Sequence, residues 1–302
     1  MTDRKDKVAV VGLGSMGMGI ASSLIHAGFS VAGCDVDQSR VETLKREGGS
    51  GDVHPAVAAE GREVLVSVVV NAAQTEAVLF GVGGCLSALA DEAVIISCAT
   101  MAPEAARSIA GKVESVGKFY LDAPISGGSQ RAASGELTVL ASGSAEAFGK
   151  ARPVLSAIAT KVYELGEAPG IGASFKMINQ LLAGVHIAAA CEAVAFAARQ
   201  GLDLQKVYEV ITAAAGNSWM FENRVPHILA GDYSPQSAVS IFTKDLGILL
   251  DMARSDRFPL PLTGTALQMF LMAAGAGMAR DDDSSVVRIY ELLTGIALPA
   301  AK

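Results

Sequence analysis

The stretch "KMINQ" places one lysine, Lys176, three and four residues before two amides, Asn179 and Gln180. On a helix all three share one face. Residues 177–191 are almost all apolar or small, and the next charge is Glu192. A lysine heading an apolar helix is either a snorkelling surface group or an amine kept in dry surroundings to handle a proton. Composition leaves both readings open. The second has a definite chemistry. Oxidising an alcohol removes a hydride from carbon and a proton from oxygen. An amine takes that proton once burial or a neighbouring cation loosens its hold on its own. Under that second reading Lys176 is acid and base and Asn179 a substrate ligand.

Such a reaction also needs a hydride acceptor. "KVAVVGLGSMGMGI" reads as a strand, then G-x-G-x-x-G at Gly12, Gly14 and Gly17, then a helix. Gly12 permits the tight turn, Gly14 lets backbone approach a pyrophosphate, and Gly17 lets the helix pack on the sheet. The helix start offers N–H groups and a positive dipole end to phosphates. The whole loop, with Leu13, Ser15 and Met16, is expected to face the cofactor. Asp35 ends the next strand, where an acidic residue accepts from ribose hydroxyls and repels a 2′-phosphate. Arg40 follows only five residues on. The cofactor expected is therefore NAD rather than NADP.

A second glycine cluster, Ser126-Gly127-Gly128 in "DAPISGG", follows the strand-like "KFYL". Its N–H groups and the Ser126 hydroxyl suit a carboxylate, and absent side chains let it in. An ordinary tight turn is the alternative. His186, within the apolar helix, lacks partners at ligand spacing and reads as a packed histidine. "RDDDSS" (280–285) reads as a solvated turn and helix cap, short of a calcium loop. Trp219 and Phe221 read as core or subunit contact, or as a flap over the substrate.

These residues need positioning. Strand-like runs "KVAVVG", "SVAGCD", "VLVSVVV", "AVIISCA", "KFYLDAP", "LTVLAS" and "KVYELG" alternate at first with helical stretches at 15–27, 39–47, 73–80 and 103–116. Asp37 or Ser39 suits the second helix as a cap, and Pro103 a first turn. The fold class expected is α/β: a doubly wound parallel Rossmann sheet. After "ELGEAPGIG" the pattern turns all-α. A long helix near 172–200, stopped by Gly201, precedes helices at 203–214, 238–254, 260–276 and 284–293. The domains expected are 1–166, binding NAD, and 167–302, serving substrate and oligomerisation. The 302 residues are 51% hydrophobic and 18% charged, with net charge -7. No basic stripe suggests nucleic acid or an anionic membrane. Cys34, Cys85, Cys98 and Cys191 form no C-x-x-C pair and suit a reducing compartment. "MTDRKDK" shows no secretory or transit pattern, and the apolar run 177–191 is short for a bilayer. A cytoplasmic protein is expected. The long helix is apolar around most of its circumference, so a second subunit should cover it, in a homodimer or homotetramer.

Four stretches in order, "GLGSMG", "CATMAP", "DAPISGG" and "KMINQ", resemble the β-hydroxyacid (3-hydroxyisobutyrate dehydrogenase-like) family over nearly the whole chain. The second half, through "GNSWMFENRVPHILAGDYSPQSAVSIFTKDLGI", is similar to its L-threonate-oxidising branch. The resemblance implies NAD-dependent oxidation of the C2 hydroxyl of L-threonate to 2-dehydro-L-erythronate. Alternatives are 3-hydroxyisobutyrate dehydrogenase, tartronate-semialdehyde reductase, or a non-catalytic NAD-binding sensor. It also implies that Thr100 contacts the cofactor; Val70 and Asn71 end the third strand similarly and are expected to contact it by position. Lys244 in "FTKDLGI" would reach cofactor and substrate, with Asp245 orienting a lysine. Ala99-Thr100 and Asn179-Gln180 depart from the family's frequent Ser-Thr and Asn-Asn.

Overall fold

The structure, a computed structural model, describes residues 6–300. The chain forms two compact units, one ending at Lys176 and the other beginning at Met177. In the first, β1 (Lys7–Val11), β2 (Ser30–Cys34), β3 (Ser50–Asp52), β4 (Val64–Ser67), β5 (Val94–Ser97) and β6 (Phe119–Asp122) make one parallel sheet in the order β3-β2-β1-β4-β5-β6. The order reverses between β1 and β4, which opens a crevice at their carboxyl ends. The connecting helices are α1 (Ser15–His26), α2 (Gln38–Arg46), α3 (Pro55–Ala59), α4 (Ala72–Phe80) and α5 (Pro103–Glu114). Strand alternation feeds two cores. Val8 and Val10 face one with Ile20, Leu24 and Phe148, while Ala9 and Val11 face the other with Leu65, Ile95 and Ile109. Asp37 caps α2 by accepting from Ser39 N, and Pro103 opens α5.

The runs "LTVLAS" and "KVYELG" do not extend this sheet. They form β8 (Leu137–Ala141) and β9 (Ala159–Glu164), in a separate three-stranded sheet with the short β7 (Ile125–Ser126). Pro124 separates β6 from β7, and β7 pairs antiparallel with β8. Helices α6 (Gly128–Ser134) and α7 (Ala145–Ile158) complete the unit; β3, α3 and α6 are too short to stand out in the sequence, and α7 carries Gly149 and Pro153 inside it.

The long helix is α8 (Ile171–Arg199), roughly 43 Å at 1.5 Å per residue. It is followed by α9 (Leu204–Thr212), α10 (Trp219–Ala230), α11 (Val239–Ser255), α12 (Pro261–Ala273) and α13 (Val287–Thr294). α8 is long and apolar enough to cross a membrane, so length does not exclude a span. Its Met177, Ile187, Cys191 and Val194 instead pack the core of the helical unit with Val225, Phe242 and Phe270. "RDDDSS" is no solvated turn: Asp282, Asp283, Ser284 and Ser285 are fully buried. Asp283 forms an ion pair with Arg224 at 2.5 Å, and Asp282 caps the turn by accepting from Ser284 N. A buried carboxylate requires such partners. Trp219 is 53% exposed and so lies outside the core, whereas Phe221 is buried within it.

Candidate active site

The loop after β1 is built around its glycines. Gly12 has φ +91°, and a Cβ there would lie 2.5 Å from Val68 O. A Cβ on Gly17 would collide with Gly12 O. Around Gly14 the nearest group is the Arg40 guanidinium, 3.8 Å from where a Cβ would be. α1 thus starts at a glycine, without a side-chain cap, and its first N–H groups suit an anion. Ser15 is exposed and Met16 half-buried, while Leu13 sinks its side chain into the core.

Asp35 follows β2 and is 8% exposed. Its Oδ2 accepts from Leu13 N at 2.7 Å and its Oδ1 from Asp37 N at 2.9 Å. The carboxylate therefore fixes the glycine loop as well as lying at its edge. Arg40, five residues on, returns from α2 to within 3.4 Å of Asp35 Oδ2. Val70 and Asn71 follow β4: Val70 N donates to Gln74 Oε1, and Asn71 caps α4 by accepting from Gln74 N. Thr100 follows β5 and is half-buried. The glycine loop, Asp35, Val70, Asn71 and Thr100 all follow the carboxyl ends of neighbouring strands of the main sheet, whereas Ser126 ends β7 of the second sheet.

Gly127 and Gly128 have φ +140° and +80°, which a side-chain-bearing residue rarely adopts. A Cβ on Gly127 would press Arg131 and Leu137 at 3.1–3.3 Å. The turn into α6 demands these glycines whatever binds there. Lys176 is 8% exposed, so it is not a snorkelling group, and its Nζ donates to Ile125 O at 2.8 Å.

The start of α8 is fixed by a residue that sequence reading passed over. Asp122, at the end of β6, accepts at Oδ2 from Gly170 N (2.9 Å) and Ala173 N (2.8 Å). Ser142 Oγ accepts from Gly172 N at 2.9 Å. Gly172 allows this approach, because a Cβ would strike Leu140 O. Burial pushes the Asp122 carboxyl up to about 6 against the pull of those N–H groups. The signal available in sequence was the pair Gly170 and Gly172, read only as a linker.

In the helical unit, Asn179 is exposed and Gln180 buried. Asn179 Nδ2 donates to Gln180 Oε1 at 2.9 Å, and Gln180 Nε2 donates to Asp245 Oδ2 at 2.6 Å. Lys244 Nζ stands 2.8 Å from Asp245 Oδ1, an ion pair off the line of a hydrogen bond. Three sequence candidates, Asn179, Lys244 and Asp245, thus meet through Gln180. His186 is half-buried. All four cysteines are buried and unpaired. Burial pushes the Cys34, Cys85 and Cys98 thiols up to about 12, which keeps them protonated and inert.

A β3-β2-β1-β4-β5-β6 sheet with this loop, followed by a helical unit, defines an NAD-binding dehydrogenase. Residues 7–166 match the NAD-binding domain of 6-phosphogluconate dehydrogenase, and residues 170–290 the NAD-binding domain of NADP-dependent 3-hydroxyisobutyrate dehydrogenase. The chain is 52% identical over 292 residues to an L-threonate dehydrogenase of Cupriavidus necator, covering 97% of each. It is 50% identical to an L-threonate dehydrogenase of Escherichia coli K12, covering 98% of this chain and 97% of that one. A crystal structure named as 3-hydroxyisobutyrate dehydrogenase from Salmonella typhimurium is 48% identical with a TM-score of 0.90, over 94% of this chain and all of that one. The chain belongs to the β-hydroxyacid (3-hydroxyisobutyrate dehydrogenase-like) family and is an NAD-dependent hydroxyacid dehydrogenase.

Proposed function

We propose that this enzyme oxidises the C2 hydroxyl of L-threonate to 2-dehydro-L-erythronate with NAD, and that Lys176 is its acid and base. The observation that carries the proton chemistry is the Lys176 amine, buried yet anchored to Ile125 O. A buried amine anchored by the chain is placed to receive the hydroxyl proton and to return it in the reverse direction. The glycine loop 12–17 with Leu13, Ser15 and Met16, Asp35, Val70, Asn71, Thr100 and Lys244 would hold NAD, which when bound supplies the hydride acceptor. The open side of Gly14 and the uncapped start of α1 fit its pyrophosphate. Asn179, Lys244 and the Ser126-Gly127-Gly128 turn would hold the acid, the turn through backbone donors. Residues 1–166 form the NAD-binding domain and 167–302 the substrate and oligomerisation domain in this reading. The buried Lys176 argues against a sensor without turnover, which has no use for a placed proton acceptor.

The choice of L-threonate rests on the relatives of about 50% identity. The solved structure bearing the other name makes a substrate panel decisive. With NAD⁺ and NADP⁺ and a set of three- and four-carbon hydroxy acids, L-threonate with NAD⁺ should exceed every other pair in kcat/KM. A higher value for 3-hydroxyisobutyrate would replace the substrate while leaving the chemistry intact. We further propose that the enzyme works in the cytoplasm as a homodimer or homotetramer. Phe175, Ile178, Leu182 and Phe196 of α8 are 49–65% exposed in the single chain, an apolar surface that a second copy would cover.

A further inference from the structure

Lys244, Asp245, Gln180 and Asn179 form a line of polar groups whose direction is set at one end. The Lys244 ammonium only donates, and the Asp245 carboxylate only accepts. Asp245 is fully buried and Gln180 is 7% exposed. Gln180 must therefore turn its Nε2 to Asp245, as it does at 2.6 Å, which leaves Oε1 for Asn179. Asn179 must then donate its Nδ2 to that oxygen, at 2.9 Å. Turning Gln180 over would set two acceptors against each other away from water. The carbonyl Oδ1 of Asn179 is left for its exposed side, with the second N–H of the same amide. An outward acceptor repels a carboxylate and suits a donor, and in a hydroxy acid at neutral pH the donors are hydroxyls.

We infer that the Lys244–Asp245–Gln180 line orients Asn179 so that its Oδ1 accepts a hydrogen bond from a substrate hydroxyl other than the one oxidised, selecting polyhydroxy acids over their deoxy counterparts. This rests on the reading of Asn179 as a substrate ligand. Gln180 and Asp245 are positioning residues in it. The departure from Asn-Asn to Asn-Gln then has a purpose: the longer amide spans from Asn179 to a carboxylate on α11.

The test compares kcat/KM with NAD⁺ for L-threonate and for its 3-deoxy and 4-deoxy analogues. The wild-type enzyme should prefer the trihydroxy acid over at least one of them. Asp245→Asn keeps the shape but lets the line run backwards. The new amide donates to Gln180 Oε1, Gln180 donates to Asn179 Oδ1, and Asn179 presents only N–H. The larger hydroxyl preference should fall about tenfold or more, chiefly through KM for L-threonate. The ratio is read because all three acids share the same carboxylate, so a change at Lys244 affects them alike. Asn179 is exposed, so a second variant avoids disturbing the core: Asn179→Ala removes the outward acceptor and loses the preference. A wild type indifferent to the extra hydroxyls, a folded Asp245→Asn enzyme with unchanged preference, or an Asn179→Ala enzyme that keeps the preference would each overturn the inference. A wild type inert toward every hydroxy acid with NAD⁺ would instead overturn the functional reading beneath it.

Discussion

Single atoms decide the cofactor loop. At Gly17 a methyl group would fall on Gly12 O and lie 2.8 Å from its carbonyl carbon, and neither is a flexible neighbour. Gly17→Ala should therefore force β1 and α1 apart. The expected result is a loss of about 1–3 kcal/mol in thermal unfolding, the usual cost of overpacking, with weakened NADH binding in a fluorescence titration. Asp35 has a subtler place, since it both holds Leu13 N and pairs with Arg40. Asp35→Asn should reduce the preference for NAD⁺ over NADP⁺ by roughly tenfold in kcat/KM, with the Arg40 guanidinium then free to meet a 2′-phosphate. An unchanged ratio would remove Asp35 from cofactor choice. For Lys176 the prediction is sharper. Lys176→Met should lower turnover by about 10²–10⁴, the usual contribution of a placed acid or base, and leave NADH affinity within a few-fold. Near-normal turnover with an unchanged pH profile would end its assignment.

One helix and its anchor govern where that amine sits. Asp122 binds the first N–H groups of α8, and Ile125, three residues later, binds the Lys176 amine. The segment from β6 to β7 thus grips α8 twice within its opening turns. The Asp122 carboxyl is pushed by burial from its ordinary 3.8 to about 6, so the folded chain holds this proton more tightly than the unfolded one. Its contribution to stability is fully present below about pH 3.8 and is lost as pH rises through about 6. Asp283, raised to about 6 by burial in the helical unit, acts in the same sense. Asp122→Asn keeps one acceptor for α8 and removes the titration. The slope of melting temperature against pH between 4 and 6 should become shallower than in the wild type. An identical slope would show that the Asp122 carboxyl titrates as it does in the unfolded chain.

Across the molecule, α8 has too little chain around it. Cys191 and Ile187 are fully buried, yet Phe196 is 65% exposed and Ile178 60%. In sedimentation at micromolar concentration the enzyme should run as a dimer or larger, and Phe196→Lys should shift it toward the monomer. A wild type that sediments as a stable monomer on dilution would end this proposal. Trp219, 53% exposed, belongs to the same question, since burying it on assembly would blue-shift its emission.

The sequence by itself determined whatever depends on neighbours along the chain. The glycine spacing at 12, 14 and 17, the acid ending β2, the alternation of apolar runs with capped helices and the lysine-amide face of α8 are local patterns, each set by backbone sterics or by a periodicity of two or 3.6. Those were enough for the α/β class and the change to helices, while the family was implied by the resemblance of four motif stretches. Only the tertiary structure decided which distant groups share a charge or a proton. Nothing local says that "LTVLAS" leaves the main sheet, because a strand's propensity carries no information about its partner. Nothing local says that Asp122 caps a helix 49 residues later, which begins at Ile171, or that "RDDDSS" is buried rather than solvated. Burial and pairing are properties of the packed chain. They turn Asp122 and Asp245 into the fixed points holding α8 and the Asn179 amide.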